Sequence, residues 1–150
     1  MYLDQTESVA VAKTFSEVNY DTKAVAVAIF PAYPAIAPVI DVCKSGNIVV
    51  GAQDCYWVPK GAYTGAVSAE YLATLGCQYV LVGHSERRHV FGEGDTEVRK
   101  KIDAAFDVGL TPVVCLGDTK EERAEGQQDY RLKKQIMKAF SDLDLSGRKV

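Results

Sequence analysis

Residues 79–95 read YVLVGHSERRHVFGEGD and place an imidazole, a hydroxyl and a carboxylate side by side as His84, Ser85 and Glu86. A neutral imidazole can polarise a carbonyl or pass a proton near neutral pH, and a nearby carboxylate can orient it or the groups around it. The three residues directly follow a short apolar run and Gly83. In parallel α/β folds the carboxyl end of a strand is where ligands and chemistry collect. His89 lies five residues beyond His84 with no Cys, Asp or Glu at metal-ligand spacing, so no chemistry is assigned to it.

Positioning these residues requires the elements around them. Short apolar runs rich in β-branched residues recur at 24–30, 47–52, 78–82 and 111–116. Each reads as a strand, and their weak alternation suits a sheet covered on both faces. Between them lie segments with helical spacing. Ser68 is expected to cap a helix ending at Gly76. Asp95 is expected to cap a helix over 96–108, with Val98, Ile102, Ala105 and Phe106 on its apolar stripe and Gly109 at its end. Residues 127–140 read as an amphipathic helix with Tyr130, Ile136, Met137 and Phe140 among its apolar positions. A helix over 6–18 has no strand before it, and Lys149 and Val150 read as the first residues of a further strand. Repeated strand–helix–strand spacing implies a parallel sheet of right-handed crossovers. A closed (β/α) barrel needs eight strands and about 250 residues, and four are legible here, so self-association through the open edges is expected. A doubly wound open sheet is the rival, without a Gly-rich dinucleotide loop to support it.

The bulk numbers narrow the partners. A chain of 150 residues with 47% hydrophobic and 25% charged residues is expected to form one soluble domain, residues 1–150. A net charge of −3 gives no electrostatic reason to expect nucleic acid or an anionic membrane surface. No apolar stretch is long enough to span a bilayer, and no leader peptide opens the chain, so a cytoplasmic setting is expected. Cys43, Cys55, Cys77 and Cys115 form no C-x-x-C pair and are read as reduced thiols, with Cys115 inside an apolar strand. Arg99, Lys100 and Lys101 read as a solvated helix face, and Arg87 and Arg88 as makers of ion pairs and loop contacts.

The run GHSERR followed by FGE closely resembles the signature of the triosephosphate isomerase family. Three further segments resemble the same family in register: GAQDCY with VPKGAYTGAVS, residues 73–83, and VVCLGD with ERAEG. The resemblance implies an α/β fold, a partial (β/α) barrel with strands equivalent to the second through fifth. It implies interconversion of glyceraldehyde 3-phosphate and dihydroxyacetone phosphate, with no cofactor and no metal. In that family, itself a standard worked case of pKa tuning, a neutral imidazole acts as electrophile. By motif position this role falls on His84, with Glu86 and Ser85 in support. Cys115 matches a family cysteine behind the site. Gln53 and Thr64 match positions near the subunit contact, and Tyr56, Trp57 and Arg87 are grouped with them as interface residues, the two aromatics as apolar anchors.

Three parts of the family pattern have no counterpart in residues 1–150. These are an Asn-x-Lys motif before the leading helix, the general-base glutamate after the sixth strand, and the later phosphate loops. A general base contributes about 10²–10⁴-fold and an oxyanion donor about 10²–10³-fold. The expectation is a family member inactive or severely impaired by itself, persisting as a homo-oligomer of two or more copies, with triose phosphate as its possible ligand. The alternatives are an isomerase active only with a complementary chain, and a non-enzymatic oligomeric binding or scaffold module.

Overall fold

A computed structural model describes residues 2–44 and 46–150. Asp4 opens the first helix, α1 (Gln5–Ser16), through a reciprocal capping box in which its carboxylate accepts from the Glu7 N–H and Glu7 accepts from its own. Strand β1 (Val27–Ile29) follows, then a 3-10 turn (Tyr33–Ala35) running into α2 (Ile36–Cys43). Strand β2 (Ile48–Ala52) leads through a long loop to α3 (Ala69–Leu75). Ser68 caps α3 by accepting from the Tyr71 N–H, and Gly76 ends it with a positive φ of 100°. Then come β3 (Tyr79–Val82), the short α4 (Ser85–His89), α5 (Asp95–Asp107), β4 (Thr111–Val114), α6 (Lys120–Ala124) and α7 (Gln128–Phe140).

The four strands are parallel and lie in the order β1-β2-β3-β4. Sequential parallel order with crossovers of one hand puts the connecting helices on a single face of the sheet. Burial agrees. Ile48, Val50, Val80, Val82 and Pro112 are buried against helices, whereas Val49, Tyr79, Leu81, Thr111 and Val113 on the other face are only half-buried. The result is half of a (β/α) barrel, with β1 and β4 as its unpaired edges. A larger core joins α3, α5, β3 and the end of α7 through Leu72, Val80, Val82, Val98, Ile102 and Ala139. A smaller one seats α1 and α2 on β1 and β2 through Ala12, Val39, Ile48 and Val50.

Several expectations change. The first and last strands are shorter than their apolar runs, because pairing rather than composition sets their ends; Cys115 lies just beyond β4, although its N–H still donates to Val82. Lys149 and Val150 form no strand. Gly94, not Asp95, caps α5: its N–H donates to the Glu97 carboxylate, and the Asp95 side chain is bound to Arg88 instead. On α7 the buried residues are Gln135 and Ala139, while Tyr130, Ile136 and Met137 are exposed. Ile136 and Phe140 instead border an open apolar cleft at the free edge of β4, with Val113, Leu116 and Val150.

Candidate active site

Strand β3 delivers Gly83 and His84 at its carboxyl end, and His84 begins α4 as its N-cap. The imidazole Nδ1 accepts the Glu86 N–H at 3.3 Å, so the ring proton belongs on Nε2. The Glu86 carboxylate comes within 3.8 Å of the same Nδ1. His84 is half-buried, and Ser85 and Glu86 are exposed. The arrangement yields an imidazole that can present an N–H to a carbonyl oxygen and accept charge there.

His84 opens into a cleft of about 260 Å³ shared with Gly83, Ser85, Arg88, Cys115 and Gly117. Burial raises the pKa of the Cys115 thiol, and Arg88 offsets only part of that. The far wall comes from the loop after β4. Gln135 on α7 clasps Gly117 there, donating to its carbonyl and accepting from its N–H, both at 2.9 Å. No residue pattern marked Gln135 for this role; a polar residue on the buried face of α7 was the only available signal.

A second group of charges lies on the other side of α4. Lys101, expected in solvent, has a side chain only 2% exposed and donates to Asp54 at 2.6 Å and to both Glu93 oxygens at 2.7 Å. Arg87 binds Glu93 and reaches Asp54 at 3.3 Å. Two cations thus face two carboxylates. Burial works to raise the Glu93 pKa, and hydrogen bonds from Arg87 and Lys101 outweigh it, holding it below the ordinary range. For Asp54 burial wins over Lys101, and its pKa is raised. Arg88, like Arg87, makes the ion pairs expected of it.

The loop between β2 and α3 folds over this cluster. It is pinned by Tyr56, whose N–H donates to Val67 and whose carbonyl accepts from Ala69. Tyr56 stacks on Trp57 with ring centroids 4.1 Å apart, and the Lys100 ammonium lies over Trp57. Gln53 donates to the Phe30 carbonyl at 2.9 Å, bridging the ends of β1 and β2. Thr64 is exposed on the loop. His84, Ser85 and Glu86 are consecutive in the chain, whereas only the fold brings Asp54 to Lys101, 47 positions apart. Among the described residues, no cluster of three or more His, Cys, Asp or Glu side chains could hold a metal ion, and no helix is long and apolar enough to cross a membrane.

Comparison with known proteins bears on this geometry directly. The family model for triosephosphate isomerase matches residues 1–149. A triosephosphate isomerase of Moorella thermoacetica is 45% identical over 118 residues, covering 79% of this chain and 47% of the relative. That of Carboxydothermus hydrogenoformans is 38% identical over 141 residues, covering 94% and 56%. That of Chlorobium phaeobacteroides is 39% identical over 146 residues, covering 96% and 58%. The chain spans about half the length of the curated relatives it matches. With the signature around His84 placed at the end of a barrel strand and the match running across nearly every residue, the chain belongs to the triosephosphate isomerase family.

Proposed function

We propose that residues 1–150 carry the electrophile-bearing half of a triosephosphate isomerase site. His84 polarises the carbonyl of glyceraldehyde 3-phosphate or dihydroxyacetone phosphate, and Glu86 and Ser85 support it. The observation that carries this reading is the His84 ring, held through Nδ1 by the Glu86 N–H at the mouth of a cleft on the carboxyl side of β3. Residues 1–150 contain no Asn-x-Lys before α1, no base glutamate after a sixth strand and no later phosphate loop, so by themselves they are inactive or severely impaired. The setting is cytoplasmic.

The free edges of β1 and β4 and the apolar cleft beside β4 favour association. Two copies supply eight strands if β4 of each pairs with β1 of the other about a common axis. Gln53, Tyr56, Trp57, Thr64 and Arg87 form a second contact surface around the loop after β2. A chain supplying the missing half would complete the site at the same edges.

The test is interconversion of the two triose phosphates by purified protein, beside a His84→Asn control prepared identically. Absent turnover, or turnover unchanged by the substitution, supports an incomplete site. Turnover lost in His84→Asn overturns the inactive reading and requires a base within residues 1–150 or their oligomer. Sedimentation of the same sample reads the association: a monomer at all concentrations overturns edge pairing.

A further inference from the structure

We propose that Arg88 is a positioning residue for His84, an inference that rests on reading His84 as the electrophile. Arg88 holds both peptide groups that flank the His84 Cα. Its Nε donates to the Gly83 carbonyl at 2.8 Å, and its backbone N–H donates to the His84 carbonyl at 3.0 Å. The first bond fixes the peptide entering His84, and the second fixes the peptide leaving it. The second is the helical bond of α4; the first, made by the side chain, steadies the backbone from which the His84 Cβ projects.

The head group is itself anchored. Nη1 donates to Asp95 at the start of α5 at 2.7 Å, and the Arg88 side chain is only 6% exposed. Gly83 is shaped to receive it. Its φ is 73°, and a Cβ there would stand 2.9 Å from both Arg88 Nη2 and Val98 Cγ2. Nη2 is buried without a hydrogen-bond partner. The guanidinium is held through its other two nitrogens by Gly83 and Asp95. This suits a group whose task is to fix the strand end, as a reacting side chain requires of its supports. The arm from Asp95 through Arg88 to Gly83 ties the α5 start to the end of β3 and leaves the His84 ring to the Glu86 N–H.

The readout is the tautomer of His84, measured by long-range ¹H–¹⁵N correlation on the labelled 150-residue chain. The chain has only two histidines, so His89 serves as the internal reference. In the unaltered chain the expected result is two well-separated ring-nitrogen signals for His84, with the proton on Nε2. Arg88→Lys keeps a cation for Asp95 and loses the planar fork. Its expected result is a His84 pair that moves toward the averaged position of mixed tautomers, with His89 unchanged and the fold retained by circular dichroism. A folded Arg88→Lys with unmoved His84 signals overturns the proposal, as does equal movement of both histidines, which would make Arg88 a support of α4 in general. If Arg88→Lys does not fold, Asp95→Asn decides. It loosens the head group and leaves the Gly83 bond in place, so a smaller His84 shift in the same direction supports the proposal and no shift overturns it. None of these signals depends on turnover, so failure of the isomerase reading and failure of this one are separable.

Discussion

The two sides of α4 contrast in how they treat charge. On one side Arg87, Lys101, Asp54 and Glu93 close on each other, with Lys101, Asp54 and Glu93 largely removed from water and Arg87 at the cluster's exposed margin. On the other, His84 is 43% exposed and has no carboxylate closer than the 3.8 Å contact to Glu86. The first arrangement joins the loop after β2 to α4, the loop before α5 and α5 itself. A buried, mutually satisfied cluster tolerates little movement, because separating its members leaves charge unpaired in a dry place. The second leaves a titratable ring free of strong partners, and so free to meet a substrate. Rigidity and reactivity are placed back to back across one short helix.

This contrast can be broken most severely at Lys101. Lys101→Met leaves Asp54 and Glu93 facing each other with only Arg87 between them, and the expected loss at neutral pH is about 3–5 kcal/mol by urea unfolding. Ile102→Ala, one residue along the same buried face of α5, sharpens the point. It should cost about 2–5 kcal/mol through lost packing, and that cost should not change with pH. The Lys101→Met deficit should shrink on acidification, as the two carboxylates take up protons.

Glu93→Gln comes next, at about 1.5–3 kcal/mol for weakened bonds to two cations. Its pH dependence has a defined sign. Glu93 is held below the ordinary value of 4.5, so its stabilising effect is complete above that range and is lost as the pH falls through its own lower value. Asp54 acts in the opposite sense. Its raised pKa favours the folded chain as the pH falls through that raised value, and offsets part of the loss. Glu93→Gln should therefore be less stable than the unaltered chain at neutral pH and lose less stability in acid, as measured by urea midpoints across that range.

The smallest effect is expected at His84. Asn is a good N-cap, so His84→Asn should alter stability by no more than about 0.5 kcal/mol in the same assay. A large loss there would mean that His84 belongs to the frame, and would erase the contrast between the two sides.

How much of this was legible beforehand depends on distance along the chain. Ser68 and Gly76 mark the ends of α3 because a cap and a left-handed glycine act within a turn or two. The stripe of Val98, Ile102 and Ala105 gave the buried face of α5. Asp95 misled because its side chain had two uses, and the cap was satisfied by Gly94 and Glu97 while Asp95 bound Arg88. Lys101 misled more deeply. Its own turn reads as a basic surface, and the carboxylates that make its burial possible come from Asp54 and Glu93 in other elements. Helix α7 has the same lesson in reverse: Ile136 and Met137 are apolar yet exposed, while the polar Gln135 beside them is buried.

The sequence by itself determined the parallel α/β order, the family, and the identity of the histidine at the end of β3, since each is written in local periodicity or in one contiguous motif. Tertiary structure alone decided which charges would be dry, which side chain would clasp Gly117, and that the Arg88 guanidinium would join Gly83 to Asp95. Those outcomes depend on distances in space between residues far apart in the chain or on a helix side chain folding back against the end of the preceding strand. Hydrogen bonds act over about 3 Å, and no pattern of residue types specifies which partners will come within that reach.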